Sequence, residues 1–468
     1  MAFKKSENKN SKKQLIIDWS DVSVSRWDPV YLQYQNQMRR STCQQVLKLR
    51  QLLVGCPEYG ANEQGLPRSD SNQVRYIRIS DIDEHGNLVQ GLGATVAKAD
   101  PKYAVDYNDI LIARSGNTVG KSYIHKEVNG RYIYAGYLLR LKVDSRKADP
   151  EYIFYYLQLP VFKKWVFTTQ RVTGQPNINA REYSSLQIPV PCPVVQKQVV
   201  SIMNSAYEQK KEKETEAQRL LDSIDDYFLQ ELGISLPLGD SNTIKGRMFK
   251  KEWSELTGGR WDCSANSTSF SFTKSRYSIV PFSNAVRINP PTKIFSIDKT
   301  TQVTFIPMEA VSDWLGIVTS DLTRPFFEKT GYTLFQEGDI IWAKITPCMQ
   351  NGKSAVVIGL TNGIGFGSTE FHVFRPTSLV RAEYIHAIVR LRALRLQATR
   401  WFSGSAGQQR VDATFFRKLS IPVPPLGIQD AITDEIENLR TKAIQLRQQA
   451  DDIIKSAKEK VEKLILGV

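Results

Sequence analysis

The chain has 468 residues, of which 41% are apolar, 10% aromatic and 24% charged, with a net charge of +14. That length suits about two to four domains, and the composition excludes a disordered or low-complexity chain. Five scattered cysteines (Cys43, Cys56, Cys192, Cys263, Cys348) and four histidines without ligand spacing argue against a disulfide framework or a metal site, and no apolar run approaches the roughly 20 residues of a membrane span.

In chain order, residues 1–18 read as a polar, basic tail without the apolar core of a signal peptide. Residues 19–193 read as a first mixed block. It opens with Trp19-Ser20-Asp21 and Arg26-Trp27-Asp28 and carries strand-like runs at 76–79, 109–113 and 132–143. A polar loop, Arg114-Ser115-Gly116-Asn117-Thr118-Val119-Gly120-Lys121, follows the second of these runs. A helix is expected from Pro150-Glu151, then a second polar loop, Arg171-Val172-Thr173-Gly174-Gln175-Pro176-Asn177. Leu186-Gln187-Ile188-Pro189-Val190-Pro191 closes the block as a short strand that its prolines confine to an edge or terminus. Residues 194–234 read as one long helix with apolar positions Ile202, Ala206, Ala217, Leu220, Ile224, Tyr227 and Phe228, interrupted by a polar middle at 210–216.

Residues 235–426 repeat this plan, and residues 427–468 repeat the helix. Trp253-Ser254-Glu255 and Arg260-Trp261-Asp262 echo the first opening, Gly338-Asp339-Ile340 echoes Asn108-Asp109-Ile110, Gly352-Lys353-Ser354 echoes Gly120-Lys121-Ser122, and Leu419-Ser420-Ile421-Pro422-Val423-Pro424 echoes the first closing strand. The offset stays between 229 and 234 residues, too regular for coincidence. Strand-like runs fall at 304–307, 339–344 and 370–374, with a helix from Glu383. The second polar loops are Lys344-Ile345-Thr346-Pro347-Cys348-Met349-Gln350-Asn351-Gly352-Lys353 and Ser403-Gly404-Ser405-Ala406-Gly407-Gln408-Gln409-Arg410. In the last helix Ile432, Ile436, Leu439, Ala443, Leu446, Ala450, Ile453, Ala457, Val461 and Leu464 make one apolar seam.

The helical segments 194–232 and 427–468 carry −3 and −1, which leaves +18 on the rest of the chain. Basic blocks attract phosphates. A helix of about 38 residues with one apolar stripe must cover it, either by pairing antiparallel with its repeat or by packing on a partner protein. The fold expected is α+β, with two repeated recognition domains separated by two long helices that form an antiparallel coiled coil. Such a chain would read two unlike half-sites. The candidate DNA-binding residues are Arg114, Ser115, Asn117, Lys121, Arg171, Thr173, Gln175, Asn177, Lys344, Gln350, Lys353, Ser405, Gln408, Gln409 and Arg410, because Arg, Lys, Asn and Gln can pair with base edges and Ser and Thr can hold phosphates. Each is equally compatible with a solvated turn. The paired Arg-Trp-Asp motifs read as structural, and the stripe Arg390, Arg392, Arg395, Arg400 as a phosphate contact or a solvated face.

Two motifs suggest chemistry and fall short. Gly116 to Ser122 is a nucleotide-cradling loop one residue too short, and its repeat lacks the first glycine. Asn289-Pro290-Pro291-Thr292 resembles the base-holding loop of amino-methylating enzymes with Thr292 where an aromatic residue would stack. No catalytic residue and no metal site is expected.

The duplicated order of these blocks resembles the specificity subunit of type I restriction-modification systems, from about Trp19 to the end of the last helix. The resemblance implies two target recognition domains that each read half of a split double-stranded DNA sequence, and an antiparallel coil that sets the unread gap. It implies two methyltransferase subunits carrying S-adenosylmethionine, and restriction subunits using ATP and magnesium. This chain would then hold no cofactor itself and work in the cytoplasm away from membranes. A free-standing two-headed DNA-binding regulator has the same layout.

Overall fold

The computed structural model describes residues 29–39, 45–89, 91–170, 176–234, 272, 274–291, 297–405 and 408–467. The tail 1–18, both Arg-Trp-Asp motifs, Thr292, Cys43 and Cys263 lie outside them. The chain divides into two units, residues 1–213 with 448–468 and residues 214–447, so the division runs through both long helices.

The first unit is organised around Ile110–Ala113, a strand buried along its whole length. It lies in a four-stranded antiparallel sheet ordered Glu58–Tyr59, Leu138–Leu141, Ile110–Ala113, Ser122–Ile124. Strand side chains alternate between faces. Ile110 and Ile112 therefore join the core shared with the long helices, while Leu111 and Ala113 join a second core with Ile77, Tyr134 and Leu138. A second sheet runs Leu66–Pro67, Ala94–Thr95, Arg75–Ile77, Tyr132–Tyr134, and its last pair is parallel.

Two expected strands differ in detail. The run 132–143 breaks at Gly136 and gives one strand to each sheet. A Cβ at Gly136 would lie 3.3 Å from the carbonyl oxygen of Ala61, a tight contact, and the Gly136 N–H donates to that oxygen at 2.7 Å. The run at 76–79 ends early in the 3-10 turn Ile79–Asp81. There the Asp81 carboxylate accepts the Arg78 backbone N–H at 3.0 Å and its guanidinium at 2.8 Å.

The second unit repeats the plan. Ile340–Ala343 is buried throughout, in the antiparallel sheet Val286–Ile288, Phe371–Pro376, Ile340–Ala343, Ser354–Val356. Ile340 and Trp342 face one core, Ile341 and Ala343 another. Its second sheet runs Leu322–Pro325, Gln302–Ile306, Ile364–Gly367, Thr333–Gln336, again with one parallel pair. Asn108 and Gly338, repeat partners, turn the chain into the buried strands with φ of 69° and 79°. Glycine and asparagine are the residues that tolerate that region most readily.

The closing Ile-Pro segments are strands at two-stranded edges, Gln187–Pro189 with Val46–Lys48 and Ser420–Pro422 with Ile279–Pro281. Each is tied back to an earlier helix, Pro150–Tyr156 or Ala382–Arg390, by a tyrosine hydroxyl, Tyr152 to the carbonyl of Pro189 and Tyr384 to that of Pro422. Each then leads into a long helix, Pro193–Glu231 or Leu426–Leu466.

Within the first unit Val199, Met203 and Ala206 of the first long helix share a core with Ile454, Ala457, Val461 and Ile465 of the second. Within the second unit Phe228 and Leu229 share a core with Ile432 and Ile436. Early residues of one helix thus meet late residues of the other in both units, so the helices run antiparallel. The seam is wider than expected late in the second helix: Ile454 and Ile465 are buried in it beside Ala457 and Val461, while Ile453 and Leu464 are half-buried against the same core. The polar middle of the first helix does not interrupt the pairing on the first unit's side. Lys210 is buried with its ammonium 3.0 Å from Asp451, and Lys213 reaches Gln449 at 2.7 Å.

A repeated glutamine locks each block to its helix. Gln196 accepts the Asp149 backbone N–H and donates to the Pro191 carbonyl, both at 2.8 Å; Gln429 does the same with Arg381 and Pro424, again at 2.8 Å. These buried amides satisfy backbone groups that would otherwise be orphaned where block and helix join.

Candidate DNA interface

In each unit the two polar loops, some 60 residues apart in sequence, are held side by side by backbone hydrogen bonds. In the first, Gly116 N donates to Pro176 O at 3.0 Å and Ile178 N to Arg114 O at 2.9 Å, which pairs Ser115 with Asn177. In the second, Thr346 N donates to Gln409 O and Val411 N to Lys344 O, both at 2.9 Å, which pairs Ile345 with Arg410. The first loop of each pair leaves the end of the central buried strand, so a rigid element positions it.

The candidate side chains separate into two groups. Asn117, Gln350, Ser405 and Gln408 are exposed, and Lys121, Asn177, Lys344 and Gln409 are half-buried. The other four are engaged with the protein. Arg114 donates to the Gly136 carbonyl at 3.0 Å and lies over the Tyr59 ring, 5.1 Å from its centre. Ser115 is buried. Lys353 donates to the Met308 carbonyl at 3.1 Å. Arg410 grips Glu370 at 2.7 Å and holds that carboxyl below its ordinary range, with Lys344 adding to the effect. Arg171, Thr173 and Gln175 lie outside the described residues.

The short Gly-Lys-Ser loops are turns and not phosphate cradles. A cradle needs free amides aimed at the anion. Here Val119 N donates to Gly116 O at 3.2 Å, Gly120 N to Ala113 O at 2.9 Å and Lys121 N to Thr118 O at 3.0 Å. Gly120 and Gly352 serve φ angles of 88° and 85°. In the Asn289-Pro290-Pro291 segment the asparagine amide meets His372 Nδ1 at 3.0 Å and accepts the Val373 N–H at 2.9 Å, so it is committed to the sheet.

The arginine stripe turns inward at two positions and is not a solvated face there. Arg390 donates to the carbonyls of Gly352 at 2.7 Å and Asp313 at 2.9 Å, while Arg395 donates to those of Arg390 and Gln350. Burial, with Arg440 and Arg395 nearby, pushes the Arg390 guanidinium down to about 9. Sequence periodicity places these residues on a helix surface but could not show that the segments at 313–314 and 350–352, far earlier in the chain, fold over it. Sequence reasoning also missed Tyr59 and Tyr137, both exposed beside the first loop pair, and Glu370, which orients the second.

Among the described residues no cluster of three or more metal-ligating side chains occurs, and no helix is long and apolar enough to cross a membrane. Residues 65–220 and 288–456 match the family described as type I restriction modification DNA specificity domain. The chain is 38% identical over 180 residues to the specificity subunit of the type I restriction enzyme EcoAI of Escherichia coli, and 35% identical over 188 residues to that of EcoEI from the same organism. These matches take in 38% and 40% of this chain but only 30% and 31% of those proteins. Among solved structures, the chain aligns with one from a study of assembly and conformational transition of the type I R-M system (13% identity, TM-score 0.46, 90% of this chain and 96% of that one). It also aligns with the HsdS subunit of Thermoanaerobacter tengcongensis (13% identity, TM-score 0.38, 90% and 96%) and the S subunit of the M. genitalium type I system (10%, 0.40, 91% and 96%). Two matched segments that together span more than half of the chain and coincide with its internal repeat place it in the type I restriction-modification DNA specificity family.

Proposed function

We propose that the chain reads a bipartite, asymmetric double-stranded DNA target, one unit per half-site, and does no chemistry itself. The observation that carries this reading is the pair of unlike polar loops that each unit sets side by side on one repeated scaffold. The scaffold residues recur between the units, whereas the exposed side chains differ: Asn117 in one, Gln350, Ser405 and Gln408 in the other. Two readers of different half-sites need that division of labour. Methylation of adenine with S-adenosylmethionine is assigned to two methyltransferase subunits, and cleavage with ATP and magnesium to restriction subunits. The paired helices and the glutamine locks at their starts form the part of the chain that such subunits would share.

The test is a domain exchange. Residues 1–193 are replaced by those of a relative with a different target, and the DNA bound or methylated by the assembled complex is sequenced. A change confined to one half-site supports the reading; a change in both, or in neither, overturns it.

A further inference from the structure

In the first unit a cavity of about 560 Å³ lies between the Gly120-Lys121-Ser122 turn, the helix Pro160–Thr169 and the late part of the second long helix. Lys121, Lys163 and Lys458 line it, and none has an ion-pair partner among the described residues. The one carboxylate in its described lining, Glu84, is exposed. Ser122 also lines it, is 4% exposed, and its hydroxyl has no hydrogen-bond partner among the described residues.

In the second unit the protein's own side chains take the corresponding places. There Ser354, the repeat of Ser122, lies 3.2 Å from His386 Nε2, and Arg390 fills the adjoining space. In the first unit Phe154 and Gln158 stand at the positions of His386 and Arg390. Phe154 offers Ser122 nothing, and Gln158 turns its amide to the His85 carbonyl at 3.0 Å. Asp225, which accepts the Arg392 backbone N–H at 2.7 Å in the second unit, has Lys458 as its counterpart. Burial, with Lys163 nearby, pushes the Lys458 ammonium down to about 8, so the cavity holds this cation at a cost that an anion would relieve.

We propose that this cavity seats a backbone phosphate of the DNA, with Lys163 and Lys458 supplying charge and Ser122 a hydrogen bond. The proposal rests on the DNA-reading function above and adds a residue of the long helix to the interface. A phosphate suits the site because lysines are compact point charges and because the exposed Asn117, in the candidate base-reading loop, lines the same cavity.

The full chain, with Lys163→Gln, Lys458→Gln, both together, or Ser122→Ala, is titrated with target duplex across a range of salt. Each lysine replacement should lower the slope of log affinity against log salt by about 0.9, since one counterion fewer is released, and leave base preference unchanged. Ser122→Ala should weaken binding severalfold at constant slope. Lys458→Gln removes a half-buried charge held at a cost, so its thermal unfolding should not fall below that of the parent. Unchanged slopes and affinities in variants of a binding-competent chain overturn this proposal alone. So does loss of a methyltransferase subunit from the Lys458→Gln complex at unchanged slope, since the cavity would then receive a protein carboxylate. A parent chain that binds no duplex overturns the DNA-reading function and this site with it.

Discussion

Asp109 and Asp339 occupy the same place in the two units, at the start of the buried strand that delivers a candidate DNA-binding loop, yet replacing each by asparagine should have opposite effects. Asp339, 0% exposed, is held by both arms of Arg375 at 2.7 and 2.8 Å and accepts the Gln336 N–H at 2.9 Å. Asp339→Asn leaves the Arg375 guanidinium, 16% exposed, without its counter-charge. Breaking such a buried pair costs about 3 to 5 kcal/mol, and the partial exposure of Arg375 puts the expected value near 3 kcal/mol. Among the described residues the ion-pair partner of Asp109 is Arg140, 3.7 Å away, and burial raises the Asp109 pKa despite the hydrogen bond from the Asp106 N–H and the nearby Arg140 and Lys142 charges. A carboxyl raised in the folded state supports folding most fully below its unfolded pKa, and that support is lost as pH rises through the folded value. At neutral pH, then, Asp109→Asn removes an unfavourable charge and keeps an acceptor for Asp106. Hydrogen exchange read by mass spectrometry resolves the two strands separately. Asp339→Asn should speed exchange in Ile340–Ala343 by about two decades, at about 1.4 kcal/mol per decade. Asp109→Asn should leave Ile110–Ala113 unchanged or slower. Equal losses in the two strands, or less than a threefold effect of Asp339→Asn, would refute the reasoning.

Gln408→Ala with Gln409→Ala should relax base preference in one half-site at a cost of about 1 to 3 kcal/mol, read by competition with point-substituted duplexes, while the other half-site stays unchanged. Gln429→Ala leaves the Arg381 N–H and the Pro424 carbonyl unpaired and should destabilise the second unit by about 2 kcal/mol in urea unfolding. His372 and His386 are buried with depressed pKa values, so the second unit should be fully stable above the unfolded histidine pKa and weaken as pH falls through the folded values. His386→Phe, which copies Phe154 of the first unit, should flatten that acid limb; a limb of unchanged steepness would show that another group sets it.

Much of the architecture was legible because the chain is written twice. The repeats preserve backbone necessities: a left-handed turn at Asn108 and Gly338, the all-apolar strand after it, the tyrosine that holds the Ile-Pro edge, and the long amphipathic helix. The glutamine locks were equally repeated but carried no sequence signal of their own, since an exposed and a buried glutamine look alike. The strand run at 132–143 breaks at Gly136, whose N–H pairs with the Ala61 carbonyl, a contact made by residues far apart in sequence. Of the candidate site, the pairing of the two loops follows from the topology. The fate of single side chains does not: Arg410 turns to Glu370, Lys353 to Met308 and Arg390 to Gly352, each a choice set by neighbours from other elements.

The decisive measurement of bipartite reading is a map of N6-methyladenine across the genome of a cell in which the only methyltransferase subunits are those assembled with this chain. The expected pattern is two short, dissimilar base blocks separated by a gap of constant length, with methylation lost when the chain is deleted. A single uninterrupted motif, or a pattern indifferent to the chain, would contradict it.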